Sequence, residues 1–298
     1  MIAEISKDAM DRFHARFRRV LSHIDEHLDE PLPLERLSDV AAFSKFHFQR
    51  QFTELFGIGV YQYVQLLRLH RAGYRLAYRK QVPITTIAHD SGYDSAESFA
   101  RAFKKKLVQS PSQFREQPDW ETWHAIKQQL SELRNRHMNP SHTSQDVRIV
   151  EFDTTRVAAL EHRGDPRLLG ESIRRFIEWR KQNRLPPRLS ATFNIVYDDP
   201  DATEPAAFRF DLCAATEQEI EPNEQGVTSR LIPGGRCATL RHIGSDATLG
   251  QTLRFLYGTW LPMSGEEPRD FPLFMQRVTF FPDVPEHQAI TDVYLPLK

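Results

Sequence analysis

The sequence predicts two domains of different class: an all-α double helix-turn-helix domain over residues 8–135, and an α+β domain over residues 146–298 made of a duplicated β-α-β-β unit. Three observations predict it. Apolar residues recur at three- and four-residue steps through the first half and alternate with polar ones through much of the second. Each half repeats a motif of its own, at an offset of 51 residues in the first and 80 in the second. Charge divides as well: residues 34–115 hold 13 Lys/Arg against 6 Asp/Glu, a difference of +7, whereas residues 141–298 hold 18 against 23, a difference of −5.

Taken in order, Phe13, Phe17, Val20, Leu21 and Ile24 mark one face of a first helix, which prolines 31 and 33 are expected to stop. Further helices are predicted at 34–41, 45–56, 60–79, 84–90, 95–107, 111–115 and 120–135. The segment 136–145 has almost no apolar content and a central Asn-Pro, which predicts a solvated linker. Within the helical half Ser44, Phe48, Arg50 and Phe52 fall on Ser95, Phe99, Arg101 and Phe103, and Gln62 and Tyr63 fall on Gln113 and Phe114. Each copy reads as a short helix, a tight turn and a second helix opened by Ser or Asp, which is helix-turn-helix grammar.

In the second half RVAALEHRGDPRLLGESIR (156–174) falls on RCATLRHIGSDATLGQTLR (236–254) with eight identities. Each copy predicts a half-buried strand, a turn at Gly164 or Gly244, and an amphipathic helix ending near Trp179 or Trp260. Strand-like runs follow each helix, so one antiparallel sheet with two helices on a face is expected.

Composition excludes several classes. With 40% hydrophobic and 27% charged residues among 298, the chain is neither disordered nor collagenous. No apolar run approaches the roughly 20 residues that span a bilayer, and the N-terminus lacks a signal-peptide core, so the cytoplasm is expected. Cys213 and Cys237 sit in strand-like runs and read as core thiols.

The basic half carries the candidate chemistry. Phe48, Phe52, Leu55 and Phe56 set a buried stripe, which leaves Phe46, Gln49, Arg50 and Thr53 on the other face of the helix. Arg can bridge guanine O6 and N7, Gln can pair with adenine, and an apolar ring can touch a thymine methyl, each good bidentate pair being worth about 1–3 kcal/mol. A solvated helix face is the plain alternative. In the second copy Phe99 and Phe103 turn inward and Ala96, Glu97, Arg101 and Lys105 outward. With Asp94 as N-cap, Glu97 would complete a capping box and engage the helix's own amides; otherwise it is available to read a base. Lys45, Lys104, Lys105, Lys106 and Arg115 can neutralise phosphates.

Residues 34–115 resemble the whole double helix-turn-helix of the AraC/XylS family, through LERLSDVAAFSKFHFQRQF, RLHRA, ITTIAHDSGYDSAESFARAFKK and SPSQFR. By that resemblance the base-reading positions are Phe46, Gln49 and Arg50 in the first unit and Ala96, Glu97, Ser98 and Arg101 in the second. It implies double-stranded promoter DNA and RNA polymerase as partners. Val108 stands where the family usually has Gly before its SP-x-x-F/Y-R ending, a departure that alters a helix C-terminus.

Residues 146–298 resemble the GyrI-like effector-binding domain, through IVYDDPD, FRFDLCAA, IPGGRCATLRHIG, WLP and TDVYLPL. The resemblance implies a cleft for a small effector. PLFMQR (272–277) lies where many members carry Pro-x-x-Glu-x-Tyr, so Met275 and Arg277 replace the acidic and phenolic groups and favour a neutral or anionic ligand, or a degenerate pocket, over binding of a cation. Trp179, Phe193, Tyr257 and Trp260 are candidate pocket aromatics, with a core role the competing reading.

His162 and His242 are related by the repeat and read as architecture. No Cys/His metal spacing, phosphate loop, nucleophile elbow or dinucleotide fingerprint is assigned, so no metal, cofactor or catalytic residue is expected. The expectation is a bacterial, effector-responsive transcription regulator, not an enzyme. A monomer is expected because the separate N-terminal dimerisation domain common in the family is not seen. The alternatives are a ligand-sequestering or hydrolytic GyrI-like module and a protein-interaction inhibitor.

Overall fold

Residues 2–135, 142–200, 202–280, 283–284 and 286–298 are described by the structure, a computed structural model. The chain divides into two compact units, Met1–Asn139 and Pro140–Lys298. Six residues of the expected linker, 136–141, lie outside the described residues.

The first helix, α1 (Ile2–Glu26), buries Phe17, Val20, Leu21 and Ile24 as its periodicity requires. It ends before the prolines expected to stop it. Arg68 takes the carbonyls of Leu28 and Glu30, at 2.9 and 2.7 Å, so a tertiary donor shapes the exit. Pro33 instead becomes the N-cap residue of the next helix. There follow α2 (Leu34–Ala41), α3 (Lys45–Phe56), α4 (Val60–Tyr78), α5 (Ile84–Asp90), α6 (Ala96–Leu107), α7 (Pro111–Glu116) and α8 (Trp120–Asn135).

The 51-residue repeat survives in three dimensions. Ser44 and Ser95 are the N-caps of α3 and α6, accepting from the amides of His47 and Ser98 at 3.4 and 3.1 Å. Phe48, Phe52 and Tyr63 are fully buried, and so are their counterparts Phe99, Phe103 and Phe114. Leu55, expected in the buried stripe, is only half-buried. Helix α4 joins the copies: Tyr63 packs on Phe52 and Phe56, while Arg75 reaches the Asp90 carboxylate at 2.6 Å. Helix α8 closes the unit, its Arg134 donating to the Tyr63 hydroxyl at 2.6 Å and to the Asp25 carboxylate at 2.8 Å.

One copy pays a conformational cost that the other avoids. Helix α3 ends on Gly57 at φ 68°, and α6 ends on Val108 at φ 62°. A left-handed backbone is free to glycine, whereas Cβ crowding costs a β-branched residue about 1–2 kcal/mol there.

The second unit contains β1 (Arg148–Phe152), β2 (Thr155–Arg163), α9 (Leu169–Gln182), β3 (Thr192–Val196) and β4 (Arg209–Ala215), then β5 (Thr228–Ile232), β6 (Gly235–Ile243), α10 (Asp246–Phe255), β7 (Leu273–Thr279) and β8 (Ile290–Pro296). Each copy therefore has one strand more than the β-α-β-β unit expected. The additional strands β1 and β5 are short, largely exposed sheet edges, and their weak alternation hides them in the sequence. Helix α10 runs on through a π turn at Leu256–Trp260 into a last helical turn at Leu261–Ser264, so the second helix carries a π segment where its counterpart is regular.

All strand pairs are antiparallel, in the order β1-β6-β8-β7-β3-β4-β2-β5. The order is symmetric about the β3/β7 pair, where Asn194 faces Met275. Each copy's first strand pairs with the other copy's second strand. Phe152 on β1 lies 6.1 Å from the ring of Phe193 on β3, although four strand spacings of a flat sheet would separate them by about 19 Å. The sheet is therefore curled. Its inner face buries Val157, Phe193, Ile195, Cys213, Cys237 and Phe274, and α9 and α10 cover the other. Cys213 and Cys237 are free core thiols, as read from the sequence.

Candidate nucleic-acid interface

The buried Phe stripe of α3 decides what its opposite face presents. Phe46 is 87% exposed, and Gln49, Arg50 and Thr53 are exposed beside it. A large ring held out in water by a rigid helix has no packing role, and its neighbours are the donor types that read base edges. Lys45, at the first position of the same helix, pairs with Glu35 of α2. Between exposed groups such a pair is weak and open to exchange for a phosphate.

On α6 the outward face carries Glu97, Arg101, Lys104 and Lys105, all exposed, with Ala96 and Ser98 half-buried. The capping-box reading is corrected: Ser95, not Asp94, is the N-cap, because its hydroxyl meets the amide of Ser98. Glu97 thus sits one position earlier than a capping box needs. Hydrogen bonds from its own amide and from the Ser95 side chain hold its carboxyl below the usual range, so it is engaged locally and ionised. Arg115 is half-buried and donates to the Val82 carbonyl at 2.7 Å, which gives it a structural task between α4 and α5. The 19 residues of α4 make a rod about 28 Å long, comparable with the ~34 Å between successive major grooves on one face of DNA.

In the second unit the six candidate effector residues are not brought together. Trp179 packs beneath α9 with Phe176 and Leu160, whereas Trp260 and Met275 belong to a separate core with Leu240 and Val293. Phe193 lies on the opposite, inner face. Trp179, Trp260, Phe193 and Met275 are all buried and pack in these clusters. Tyr257 stands on the π turn, 46% exposed. Arg277 donates to Asn194 Oδ1 at 3.0 Å and Thr291 Oγ1 at 3.2 Å, and pairs with Asp246 at the start of α10. Its charge is answered within the fold. Clefts of about 860 Å³ and 780 Å³ open elsewhere, the first beside Tyr61, Gln65, Tyr93 and Lys105, the second beside Arg156 and Arg230.

The repeated histidines are architectural. His162 Nδ1 meets Ser172 Oγ at 2.9 Å and Nε2 meets the Asp165 carbonyl at 3.1 Å; His242 makes the same two bonds to Thr252 and Ser245 at the same distances. Each ring ties a strand to the helix that follows it.

The profile of the GyrI-like small molecule binding domain matches residues 145–298, just over half of the chain. The chain belongs to the GyrI-like family. A helix-turn-helix domain profile matches residues 37–117, which places the AraC-type domain in front of the GyrI-like one. The probable transcriptional regulator YgiV of Escherichia coli K12 is 40% identical over 153 residues, 51% of this chain and 96% of that protein. The right origin-binding protein of the same strain is 36% identical over 103 residues, 35% of either chain. A cryo-EM structure of an EcmrR–DNA complex covers 88% of this chain and 84% of its own at 12% identity and a TM-score of 0.44, too loose for any residue to be carried across. Among the described residues no helix is long and apolar enough to cross a membrane.

Two features escaped the sequence reading. One is the Arg277–Asp246 pair, which joins residues 31 apart and has no local signature. The other is a grouping of His23, Glu26 and His27 at the C-terminal end of α1. Its His-x-x-Glu-His pattern is local and can be read directly from the sequence.

Proposed function

We propose that the protein is a cytoplasmic transcription regulator that reads an asymmetric DNA site through α3 and α6 and is controlled by a small molecule held by the GyrI-like unit. The observation that carries the DNA reading is the Phe46, Gln49 and Arg50 face, held outward by three buried phenylalanines on the same helix. Arg50 and Gln49 supply direct readout of one major groove, and Arg101 of the next. Lys45, Lys104 and Lys105 contact phosphate, which predicts affinity falling steeply with salt. RNA polymerase is the proposed downstream partner. A single chain carries both reading helices, so a monomer suffices.

The proposed effector is neutral or anionic. An anion reaching Arg277 must displace Asp246, which makes that pair a gate on ligand charge. No catalysis is assigned: the His162–Ser172 contact looks like a nucleophile pair, but Thr252 takes the serine's place in the other copy with unchanged geometry. Hydrolysis of small esters by the full chain, abolished by Ser172→Ala, would support the hydrolytic alternative instead.

The test is selection of a random duplex pool on full-length protein. Enrichment of one asymmetric motif of about 20 base pairs, two helical turns, is expected. A symmetric motif bound only by two chains would overturn the monomer reading, and no enrichment with effector-free protein or with residues 1–135 alone would overturn the DNA reading.

A further inference from the structure

His23 and Glu26 lie in the last turn of α1 and His27 directly follows it, its amide bonded back to the His23 carbonyl at 3.1 Å; their ligand atoms lie within 4.8 Å of one another. The spacing puts the two imidazoles one helical turn apart on a single face, their ring centroids 4.3 Å apart. Two imidazoles and a carboxylate are the donor set preferred by late first-row divalent cations. Ligands of a tetrahedral ion of this class sit about 3.4 Å apart, so side-chain rotation alone closes the site.

Two further observations point to a ligand here. The Nε2 atom of His23 is buried and has no hydrogen-bond partner, an arrangement that costs stability unless something accepts its lone pair or proton. His27 Nδ1 meets Glu30 Oε1 at 3.1 Å, and Glu30 is held in turn by Arg36 of α2 at 2.9 Å. A carboxylate behind a histidine is the usual device for fixing its tautomer and presenting the other nitrogen to a metal. The end of a helix also favours positive charge. Glu26 is exposed, so the fourth position is open to water.

We infer that His23, Glu26 and His27 form a binding site for a divalent transition cation of the Zn²⁺ class, with Glu30 orienting His27. The site fastens the end of α1 to the segment that Arg36, Arg68 and Arg71 hold against α2 and α4. It is independent of the DNA and effector readings.

The experiment uses untagged, chelator-stripped full-length protein titrated with Co²⁺ and followed by visible absorption. One equivalent is expected to bind, to be displaced by Zn²⁺ and to resist excess Mg²⁺. His27→Gln, at a half-exposed position, should weaken binding by more than about 10-fold, the lower edge of what even an outer-shell partner contributes. Glu26→Gln should weaken it less, and circular dichroism should show both variants folded. Absence of Co²⁺ bands in the parent protein, or unchanged binding in both folded variants, would overturn the site. If His27→Gln does not fold, His23→Gln and Glu26→Gln decide by the same criterion.

Discussion

Helices α3 and α6 have the same interior and different exteriors. The inward positions match one for one, Phe48 with Phe99 and Phe52 with Phe103, and all four are fully buried. The outward positions do not: Phe46, Gln49 and Thr53 correspond to Glu97, Ala100 and Lys104, and only the pair Arg50 and Arg101 is shared. Close packing resists change in a core residue because volume and shape must be kept, whereas an exposed position is free to diverge. The duplicated scaffold therefore presents two different exposed faces in one geometry, which under the proposed function read different sequences. The second unit uses its duplication otherwise, crossing strands between copies so that neither copy can complete its sheet alone.

The largest test of the shared interior is truncation. Phe52→Ala and Phe103→Ala should each lower unfolding free energy by about 3–5 kcal/mol in denaturant titrations. Costs that differ widely would show that one copy carries the fold. Next, Arg50→Ala and Arg101→Ala should each weaken specific binding by about 1–3 kcal/mol while leaving thermal stability unchanged. Each should relax preference in a different half of the selected motif, and loss confined to one variant would mean that a single head reads DNA.

A smaller effect concerns the helix ends. Val108→Gly should raise stability by about 1 kcal/mol, because it removes the left-handed strain that its counterpart Gly57 does not carry. Gly57→Val should lower it by a similar amount. Unchanged melting in both would mean that the turn relaxes around the side chain.

The smallest effect is with pH and belongs to the second unit. Burial pulls the pKa of His162 and of His242 below the usual 6.5, against the opposing pull of their carbonyl partners. The folded state then binds these protons less readily than the unfolded state. Stability should be level above about pH 6.5 and fall as pH drops from there toward 5. The denaturant midpoint of the second unit should follow, with His162→Gln and His242→Gln each removing part of the slope.

Much of the outward face of α3 was legible because a helix with a Phe stripe leaves little choice about its opposite side. The boundaries of α2, α3, α5 and α8 were legible for the same reason. The N-cap of α6 was misplaced by one residue, since Asp94 and Ser95 are both good caps and only the bond to Ser98 distinguishes them. The candidate effector residues were less legible, because an aromatic at a helix end looks alike in a core and in a pocket. Which it is depends on what lies above it.

By itself the sequence determined the class of each half, the two repeats, and the inward and outward faces of α3 and α6, because these follow from periodicity along one segment. Only the tertiary structure decided that β1 pairs with β6 and β5 with β2, that Arg68 takes the Leu28 and Glu30 carbonyls beyond the end of α1, and that Asp246 neutralises Arg277. Each of these joins groups far apart in the chain, and a local pattern records which face must be buried but not which distant partner buries it.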